Sequence, residues 1–373
     1  MMPSQFQNEH HCVYLNHAAV GPWPQKTADA IQNFAQENLQ SGARFYPRWL
    51  EKEYRLREQF ARLIGHDNPM DMALLKSTSE ALSVVAYGID WQAGDNIVLS
   101  DMEFPSNRIV WESLQTKGVE VRVVKTTPHQ LEQQLIAAMD EHTRLLTTSS
   151  VHYATGLRVR LETLGQACRD YGTLFNVDAI QSLGAIPFDN SKVKADFIMA
   201  DGHKWLLGPE GLALFYCNPE LRNTLTLQQY GWHMIANAGN YGSKQWEVAQ
   251  DATRFECGSP NMLTIHALSA SLDVLMDTGL DQVHEQLNDN VRYLIHQLQQ
   301  LPGIMLHTET APDRLAGIIN FSVEGYDNQS LYEQLMQLKV VCAARGPGIR
   351  WAPHFYQSKT TLDQAVRLLK SLI

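Results

Sequence analysis

Along the first half of the chain, apolar and polar residues alternate with two different periods. Stretches with apolar residues three or four positions apart predict amphipathic helices, and short apolar runs between them predict strands. The predicted helices cover 24–40, 47–64, 79–88, 104–117, 128–140 and 161–171, and the predicted strands cover 96–100, 119–124, 144–151 and 173–178. The alternation of the two element types predicts an α/β fold with a largely parallel sheet.

The order of elements changes beyond residue 260. The pattern there predicts helices over 260–276, 280–300 and 360–372, and strands near 304–308, 315–322 and 340–343. Helices and strands no longer alternate, which indicates a smaller α+β domain. A chain of 373 residues has the usual length for two such domains.

Composition and charge exclude several classes of protein. The net charge is -10, with no long block of Lys or Arg, so we expect no nucleic-acid partner. The polar start, MMPSQFQNEHHC, lacks the apolar stretch of a secretory signal, and no run approaches the ~20 apolar residues of a membrane span. We therefore expect a cytoplasmic protein without a membrane partner. Five scattered cysteines without a CxxC pair indicate free thiols and no metal site.

Lys204 is the first candidate for chemistry. It lies in DFIMADGHKWLLGPEGLALFY (196–216), where two strand-like segments flank a glycine-rich loop. A lysine that forms a Schiff base must lose its proton, which burial at a strand end favours. By itself the pattern also fits a solvated lysine in a turn, so the neighbouring motifs decide between the two interpretations.

Asp178 ends the apolar segment of TLFNVDAIQSLG (173–184), and should lie at the carboxyl edge of the sheet, where open α/β sheets bind ligands. A carboxylate there can pair with the protonated ring nitrogen of a pyridoxal cofactor. Gln181, three residues later, can donate a hydrogen bond to the cofactor's phenolate oxygen. The alternative role for Asp178 is a helix N-cap.

The segment LLKSTSEALSVV (74–85) predicts the start of a helix. Ser77 and Glu80 have the spacing of a capping box. The free N–H groups and the positive dipole end of such a terminus also bind anions such as phosphate. An ordinary capping box is the alternative, and the reactive lysine downstream favours the phosphate site.

Together these motifs resemble the class V aminotransferase family of fold-type I enzymes that depend on pyridoxal 5'-phosphate (PLP). The family includes cysteine desulfurases, selenocysteine lyases, kynureninases and isopenicillin N epimerase. The resemblance spans nearly the whole chain. The matching segments, in the order the family uses, are YLNHAAVGPWP (14–24), STSEA (77–81), DMEFPSN (101–107), VHYATG (151–156), VDAIQSLG (177–184), DGHKWLLGP (201–209), RFECGSPN (254–261) and IRWAPHFYQS (349–358).

The resemblance implies a fold and an assembly. A large PLP-binding domain, expected over 21–258, would contain a mainly parallel seven-stranded sheet flanked by helices. A smaller α+β domain would cover 259–373, and residues 1–20 would contribute to that domain and to the substrate site. We also expect a homodimer with its active site at the subunit interface.

The resemblance also implies roles for individual residues. Lys204 would form the Schiff base and carry the proton at the substrate α-carbon, with Asp178 at the pyridine nitrogen and Gln181 at the phenolate oxygen. Phe104 would stack on the ring, and Arg350 would bind the substrate α-carboxylate beside His17 and Tyr153. The residues expected at the phosphate are Thr78, Ser79 and His203, with Ser259 reaching the phosphate of the neighbouring subunit.

Several positions depart from the desulfurase pattern. Desulfurases carry a nucleophilic cysteine between two C-terminal arginines, whereas only GPGI separates Arg345 from Arg350. Cys342, in an apolar run, is expected to be a buried strand residue. Desulfurases also have a histidine at the position of Phe104. Asp201 stands where a small hydroxyl residue is usual, and we expect it to point away from the phosphate because two anions repel.

The sequence therefore predicts a PLP-dependent enzyme acting on an amino acid, with a lyase of the desulfurase or selenocysteine lyase type, lacking the loop cysteine, ranked first. An aminotransferase or an epimerase of the same family is the alternative. A non-catalytic PLP-binding sensor or scaffold is the alternative from another class. A dinucleotide-dependent oxidoreductase is disfavoured because no GxGxxG follows an early strand.

Overall fold

The computed structural model of the chain describes residues 5–7 and 11–373. These residues form twelve α-helices and thirteen β-strands. The helices are α1 (Gln25–Ser41), α2 (Tyr46–Leu63), α3 (Thr78–Gly88), α4 (Ser106–Glu112), α5 (Leu131–Ala137), α6 (Leu161–Tyr171), α7 (Asn190–Val193), α8 (Pro219–Arg222), α9 (Met262–Thr278), α10 (Leu280–Gln299), α11 (Asn328–Gln337) and α12 (Lys359–Lys370). The strands are β1 (Val13–Tyr14), β2 (Met72–Leu75), β3 (Asn96–Ser100), β4 (Glu120–Val124), β5 (Thr143–Ser149), β6 (Leu174–Asp178), β7 (Phe197–Asp201), β8 (Ala213–Cys217), β9 (Ile304–Leu306), β10 (Ile319–Val323), β11 (Val340–Val341), β12 (Ala343–Arg345) and β13 (Gly348–Trp351).

The central sheet has seven strands in the order β2-β8-β7-β6-β5-β3-β4. Neighbouring strands from β7 to β4 are parallel, and β8 is antiparallel to both of its neighbours. Successive residues of a strand pack into different cores: Ile97 and Leu99 lie in one core and Val98 in the other. A sheet covered by apolar side chains on both faces is typical of α/β proteins, and the predicted fold class is confirmed.

Polar residues gather where the parallel strands end. Ser100, Ser149, Asp178 and Asp201 are the last residues of β3, β5, β6 and β7. The strand register pairs Asp178 with Ser149 on one side and with Met199 on the other. Since parallel strands end at a common edge, their terminal side chains share one crevice.

The C-terminal part contains a four-stranded antiparallel sheet in the order β12-β13-β10-β9. The N-terminal segment joins this part: β1 runs parallel to β11, and Asn16 forms a bridge with Ala352. Helix α9 packs instead against α1 and α2, and α10 packs against α12. Among the described helices, none has both the length and the apolar character needed to cross a membrane.

The elements differ from the sequence prediction mainly at their ends. The predicted helix 104–117 begins only after Pro105 and continues as a 3₁₀ helix (Ser113–Lys117). The predicted strand 315–322 begins at Ile319, because Gly317 lies in a turn pressed against the ring of Trp205. Helix α11 and strand β13 were not predicted as elements, and the described segment 223–251 contains neither a helix nor a strand of the fold.

Candidate active site

A cavity of about 360 Å³ lies at the carboxyl edge of the central sheet. It brings together nine of the residues predicted to bind cofactor or substrate, from six separate stretches of the chain. The residues lining it are Ala18, Ala19, Ser77, Thr78, Ser79, Phe104, Ser106, Tyr153, Asp178, Ile180, Gln181, Asp201, His203, Lys204, Arg345 and Arg350.

The loop that carries Lys204 is fixed by close backbone contacts. Gly21 donates its N–H to His203 O at 2.7 Å, and a Cβ at position 21 would lie 2.3 Å from Lys204 O. Leu207 adopts a φ of 59°, a left-handed conformation that is unfavourable for a residue with a side chain. Strain of this kind persists only where the surroundings hold the backbone, and it occurs most often at functional sites.

Lys204 and Asp178 share this cavity. Burial lowers the pKa of Lys204 to about 8; the charge of Asp178 opposes this shift and that of Arg350 supports it. Burial raises the pKa of Asp178 to about 6, although Oδ1 accepts a hydrogen bond from Ile180 N at 3.0 Å. A substantial fraction of Lys204 is therefore neutral near pH 8, which nucleophilic attack by an amine requires.

The N-terminus of α3 forms one end of the cavity. Ser77 caps the helix, with its hydroxyl accepting from Glu80 N at 3.2 Å, so the predicted cap is present. The Ser79 hydroxyl donates to Ser106 Oγ at 2.9 Å, and Thr78 Oγ1 accepts from Asp201 N at 3.0 Å. Hydroxyl groups and a helix N-terminus suit a phosphate group.

Asp201 lies in this same end of the cavity. Its Oδ1 is 2.7 Å from His203 Nδ1, and the Asp201 side chain is only 7% exposed. The expectation that Asp201 points away from the phosphate site is therefore wrong. The contact with the His203 ring gives this carboxylate a polar partner inside the cavity.

Arg350 enters the cavity from β13 and is 2% exposed. Its Nη1 donates to Tyr153 O at 2.8 Å and its Nη2 to Asn16 Oδ1 at 3.3 Å. The buried Nε has no hydrogen-bond partner, and within the described residues no carboxylate lies within 4.0 Å of the guanidinium. Burial, and then the charge of Arg345, lower the pKa of Arg350 to about 10. A buried cation without an anion is the expected state of a carboxylate-binding group before its ligand arrives.

Trp205, next to Lys204, links the lysine loop both to the residues that follow β6 and to the C-terminal part of the chain. Its Nε1 donates to Gln181 Oε1 at 2.8 Å, and Gln181 Nε2 donates to Ala18 O at 3.0 Å. The Trp205 carbonyl accepts from His354 Nε2 at 3.1 Å, and the indole ring fills the space above Gly317. These contacts fix the orientation of the Gln181 amide beside the cavity.

Aromatic side chains form the opposite wall. The Phe104 ring is 40% exposed, and its centroid lies 5.7 Å from Lys204 Nζ. Tyr153 packs edge-on against it, with the ring centroids 5.2 Å apart. A phenyl face in this position can stack on a planar ligand but cannot exchange protons with it.

Two predicted site residues lie outside the cavity. His17 is fully buried, with Nδ1 2.8 Å from Ala352 O and Nε2 2.7 Å from the Tyr356 hydroxyl. Burial lowers the pKa of His17 to about 4, so the ring is neutral and supports the wall behind Ala18 rather than facing a substrate. Ser259 is exposed and does not line the cavity of its own chain.

Sequence reasoning missed one buried carboxylate beside the site, Glu103. It accepts hydrogen bonds from Ser149 N at 2.8 Å and Asn107 Nδ2 at 2.8 Å. Burial raises its pKa to about 7, against the lowering effect of these donors. The position immediately before Phe104, three residues after the end of β3, was the available signal.

The chain matches the family model for aminotransferase class-V over residues 13–367. A probable cysteine desulfurase of Methanothermobacter thermautotrophicus is 28% identical over 90% of this chain and 84% of that protein. The apo structure of a cysteine desulfurase from Thermococcus onnurineus superposes with a TM-score of 0.89 at 22% identity, covering 100% of this chain and 97% of that one.

A second solved structure with a similar fold is a lysine-to-alanine variant of the protein C-DES, with glycine covalently linked to its PLP cofactor. It superposes with a TM-score of 0.90 at 21% identity, covering 98% of each chain. These likenesses support the predicted fold, and the family model spans nearly all of the described residues. The chain belongs to the class V aminotransferase family.

Proposed function

We propose that the chain is a PLP-dependent enzyme of the lyase type that acts on an amino acid and removes a substituent from its β-carbon. One observation carries the proposal. The Lys204 amine, with its pKa lowered to about 8 by burial, shares a cavity with a buried carboxylate and an uncompensated buried guanidinium. These are the three groups that such an enzyme needs: an amine, a partner for the pyridine nitrogen and a binder for the α-carboxylate.

Bound PLP supplies an electron sink for bonds broken at the substrate α-carbon. Lys204 would hold the cofactor covalently and would then carry the proton at the substrate α-carbon. Asp178 would pair with the pyridine nitrogen, and Gln181 would donate a hydrogen bond to the phenolate oxygen. Thr78, Ser79 and His203 would hold the phosphate, Arg350 and Tyr153 would contact the substrate, and Phe104 would stack on the ring.

The thiol chemistry of a desulfurase has little support in this cavity. Cys342 is 2% exposed and does not line the cavity, and burial raises its pKa to about 12. A buried, protonated thiol is a poor nucleophile. We therefore propose that the leaving group is released without first being transferred to a cysteine of this chain.

A homodimer is part of the proposal. Ser259 lies in a motif that resembles the family's phosphate-binding segment, yet it is exposed on its own subunit. The loop before it exposes several large aromatic residues, among them Tyr241 at 79% and Trp246 at 58%. Exposed aromatic groups of this size are typical of protein interfaces.

An aminotransferase or epimerase of the same family is the second candidate, because all three reactions use the same lysine and carboxylate-binding arginine. The absence of an acid–base group at Phe104 favours no one of them. Pyruvate or alanine released from an amino acid without an added oxo acid identifies the lyase. Turnover that requires a 2-oxo acid identifies the aminotransferase.

The test compares purified wild type with Lys204→Ala and with Lys192→Ala, which changes an exposed lysine. Each protein is mixed with PLP, and its visible absorbance, its product release and its transfer of the α-hydrogen to solvent are measured over a panel of amino acids. We expect wild type and Lys192→Ala to show all three signals.

Lys204→Ala should bind PLP weakly and lose the band of the lysine-bound cofactor together with turnover. If this variant keeps both colour and turnover, the assignment of Lys204 is wrong. If wild type binds PLP but exchanges no α-hydrogen with any amino acid, the protein is a PLP-binding sensor and not an enzyme.

A further inference from the structure

Resting on the proposed function, we propose that the site selects amino acids with an acidic side chain, such as aspartate, and that Arg345 binds the side-chain anion while Arg350 binds the α-carboxylate. The two arginines line one cavity. Arg345 would thus contact the substrate side chain, whose identity the groups around Lys204 and Asp178 do not determine.

The backbone directs both arginines to the same place. In the hairpin of β12 and β13, Arg345 lies opposite Gly348, and Arg350 lies opposite Ala343. Residues two apart on one strand, and residues directly opposite on two strands, point to the same face. Arg345 and Arg350 are therefore diagonal neighbours on one face, within reach of a single small ligand.

Arg345 has a fixed backbone and an uncommitted guanidinium. Its carbonyl accepts a hydrogen bond from Asn320 Nδ2 at 2.8 Å, which holds the turn in place. Its guanidinium makes one long contact, from Nη1 to Ala344 O at 3.3 Å, and the side chain is exposed at the mouth of the cavity. In the described part of the chain no carboxylate lies within 4.0 Å of it.

The charges around the cavity leave two positive groups without partners. The acidic residues that line it are Asp178, which faces Lys204, and Asp201, which pairs with His203. Arg345 and Arg350 repel each other, as the lowered pKa of Arg350 reflects after the larger effect of burial. One α-carboxylate compensates one of these cations, and a second anionic group on the substrate compensates the other.

The competing arrangement is that both arginines clamp the same α-carboxylate. The two arrangements differ in which substrates bind more weakly when Arg345 is removed. In our proposal the loss weakens binding only of amino acids with an acidic side chain. In the competing arrangement it weakens binding of every amino acid by the same factor.

The experiment titrates the PLP-loaded enzyme with L-aspartate, L-asparagine and L-alanine and follows the visible spectrum to obtain each Kd. Aspartate and asparagine have nearly the same shape, so their ratio isolates the charge. We expect wild type to bind aspartate about fivefold more tightly than asparagine, the effect of one partly exposed ion pair. Added salt should reduce this ratio.

Arg345→Gln should abolish the preference for aspartate and leave the Kd for alanine unchanged. The control Arg367→Gln removes an exposed arginine from α12, with the same change in net charge, and should keep the preference. An equal loss of affinity for alanine and aspartate in Arg345→Gln, or no preference in wild type, overturns the inference and leaves the proposed function standing. A spectrum that responds to none of the amino acids overturns both.

Discussion

Two buried arginines of this chain have opposite surroundings. Arg57 in α2 is 2% exposed and donates to Glu256 Oε1 at 2.6 Å, to Glu256 Oε2 at 2.8 Å and to Glu53. Burial alone would lower its pKa, but the charges of the two carboxylates raise that pKa above its ordinary value. Arg350 is equally buried, and its hydrogen-bond partners within the described part of the chain are two neutral oxygens.

The difference distinguishes an arginine whose charge is compensated inside the protein from one whose charge is available to a ligand. The interior supplies Arg57 with every partner it needs, so that its removal affects the fold. The Arg350 Nε has no hydrogen-bond partner and, among the described residues, no carboxylate pairs with the guanidinium, so we expect its removal to affect ligand binding instead. An uncompensated charge lowers stability, and proteins keep such groups mainly at functional sites. The predictions below test this distinction.

The largest effect is expected for Arg57→Met. The change leaves the buried carboxylates of Glu53 and Glu256 without their shared cation, which should lower the free energy of unfolding by about 3–5 kcal/mol. Urea unfolding of the two proteins measures it. Arg55→Met is the control: the exposed Arg55 in the same helix pairs with Asp273, which keeps Gln59 as a second partner, so the change should cost less than about 1 kcal/mol. Equal losses in the two variants would contradict the comparison.

Arg350→Met should have the converse profile. Because the cation has no carboxylate partner, we expect the free energy of unfolding to stay the same or to rise. Binding of an amino acid to the PLP-loaded protein should weaken at least 30-fold, which corresponds to about 2 kcal/mol for one lost buried charge contact. Unfolding curves and spectral titrations separate the two effects. A marked loss of stability with unchanged binding would assign Arg350 a structural role.

Glu103 extends the comparison to a buried anion without a cation. Its pKa rises from 4.5 in the unfolded chain to about 7 in the folded protein, so its stabilising contribution is present below pH 4.5 and is lost as the pH rises through 7. Between pH 5 and 8 the cofactor-free wild type should therefore lose about 2 kcal/mol of stability relative to Glu103→Gln. Parallel stability curves for the two proteins over this range would show that Glu103 does not titrate there.

The smallest effect is expected for Asp201→Ser, which removes a carboxylate from the phosphate end of the cavity. Because the Asp201 carboxylate already has the His203 ring as a partner, the gain should be only about 1 kcal/mol, or a fivefold tighter Kd for PLP. Equilibrium titration with the cofactor measures it, and free phosphate serves as a competitor. Weaker binding in the variant would mean that Asp201 helps the site by orienting the His203 ring.

Much of the fold could be predicted, because periodic segments such as α6, α10 and α12 bury one apolar face. Element ends were less predictable. Pro105 delays the start of α4, and the close approach of Gly317 to Trp205 delays the start of β10, and both effects depend on contacts distant in sequence. Short elements such as β13 contain too few residues for a repeat of apolar positions to be recognised.

Site residues were predictable where a sequence motif identified them. They were unpredictable where contacts between distant parts of the chain decide which way a side chain points. Lys204 and Asp178 stand in segments with a clear chemical pattern, and the structure brings them into one cavity. His17 stands in an equally suggestive motif, yet its ring turns into the interior, where Ala352 and Tyr356 take both nitrogens. Strand pairing set that direction, since Asn16 bridges to Ala352, and this contact is invisible in the sequence.

The position of Trp205 limits how this protein can be recombined with its relatives. The residue beside Lys204 is seated on Gly317, and its carbonyl is held by His354. In a chimaera whose C-terminal third came from a relative with a side chain at position 317, the new Cβ would lie 2.3 Å from the nearest atom of the indole ring, so the indole would have to shift. The segment around position 317 and the lysine loop must therefore be exchanged together.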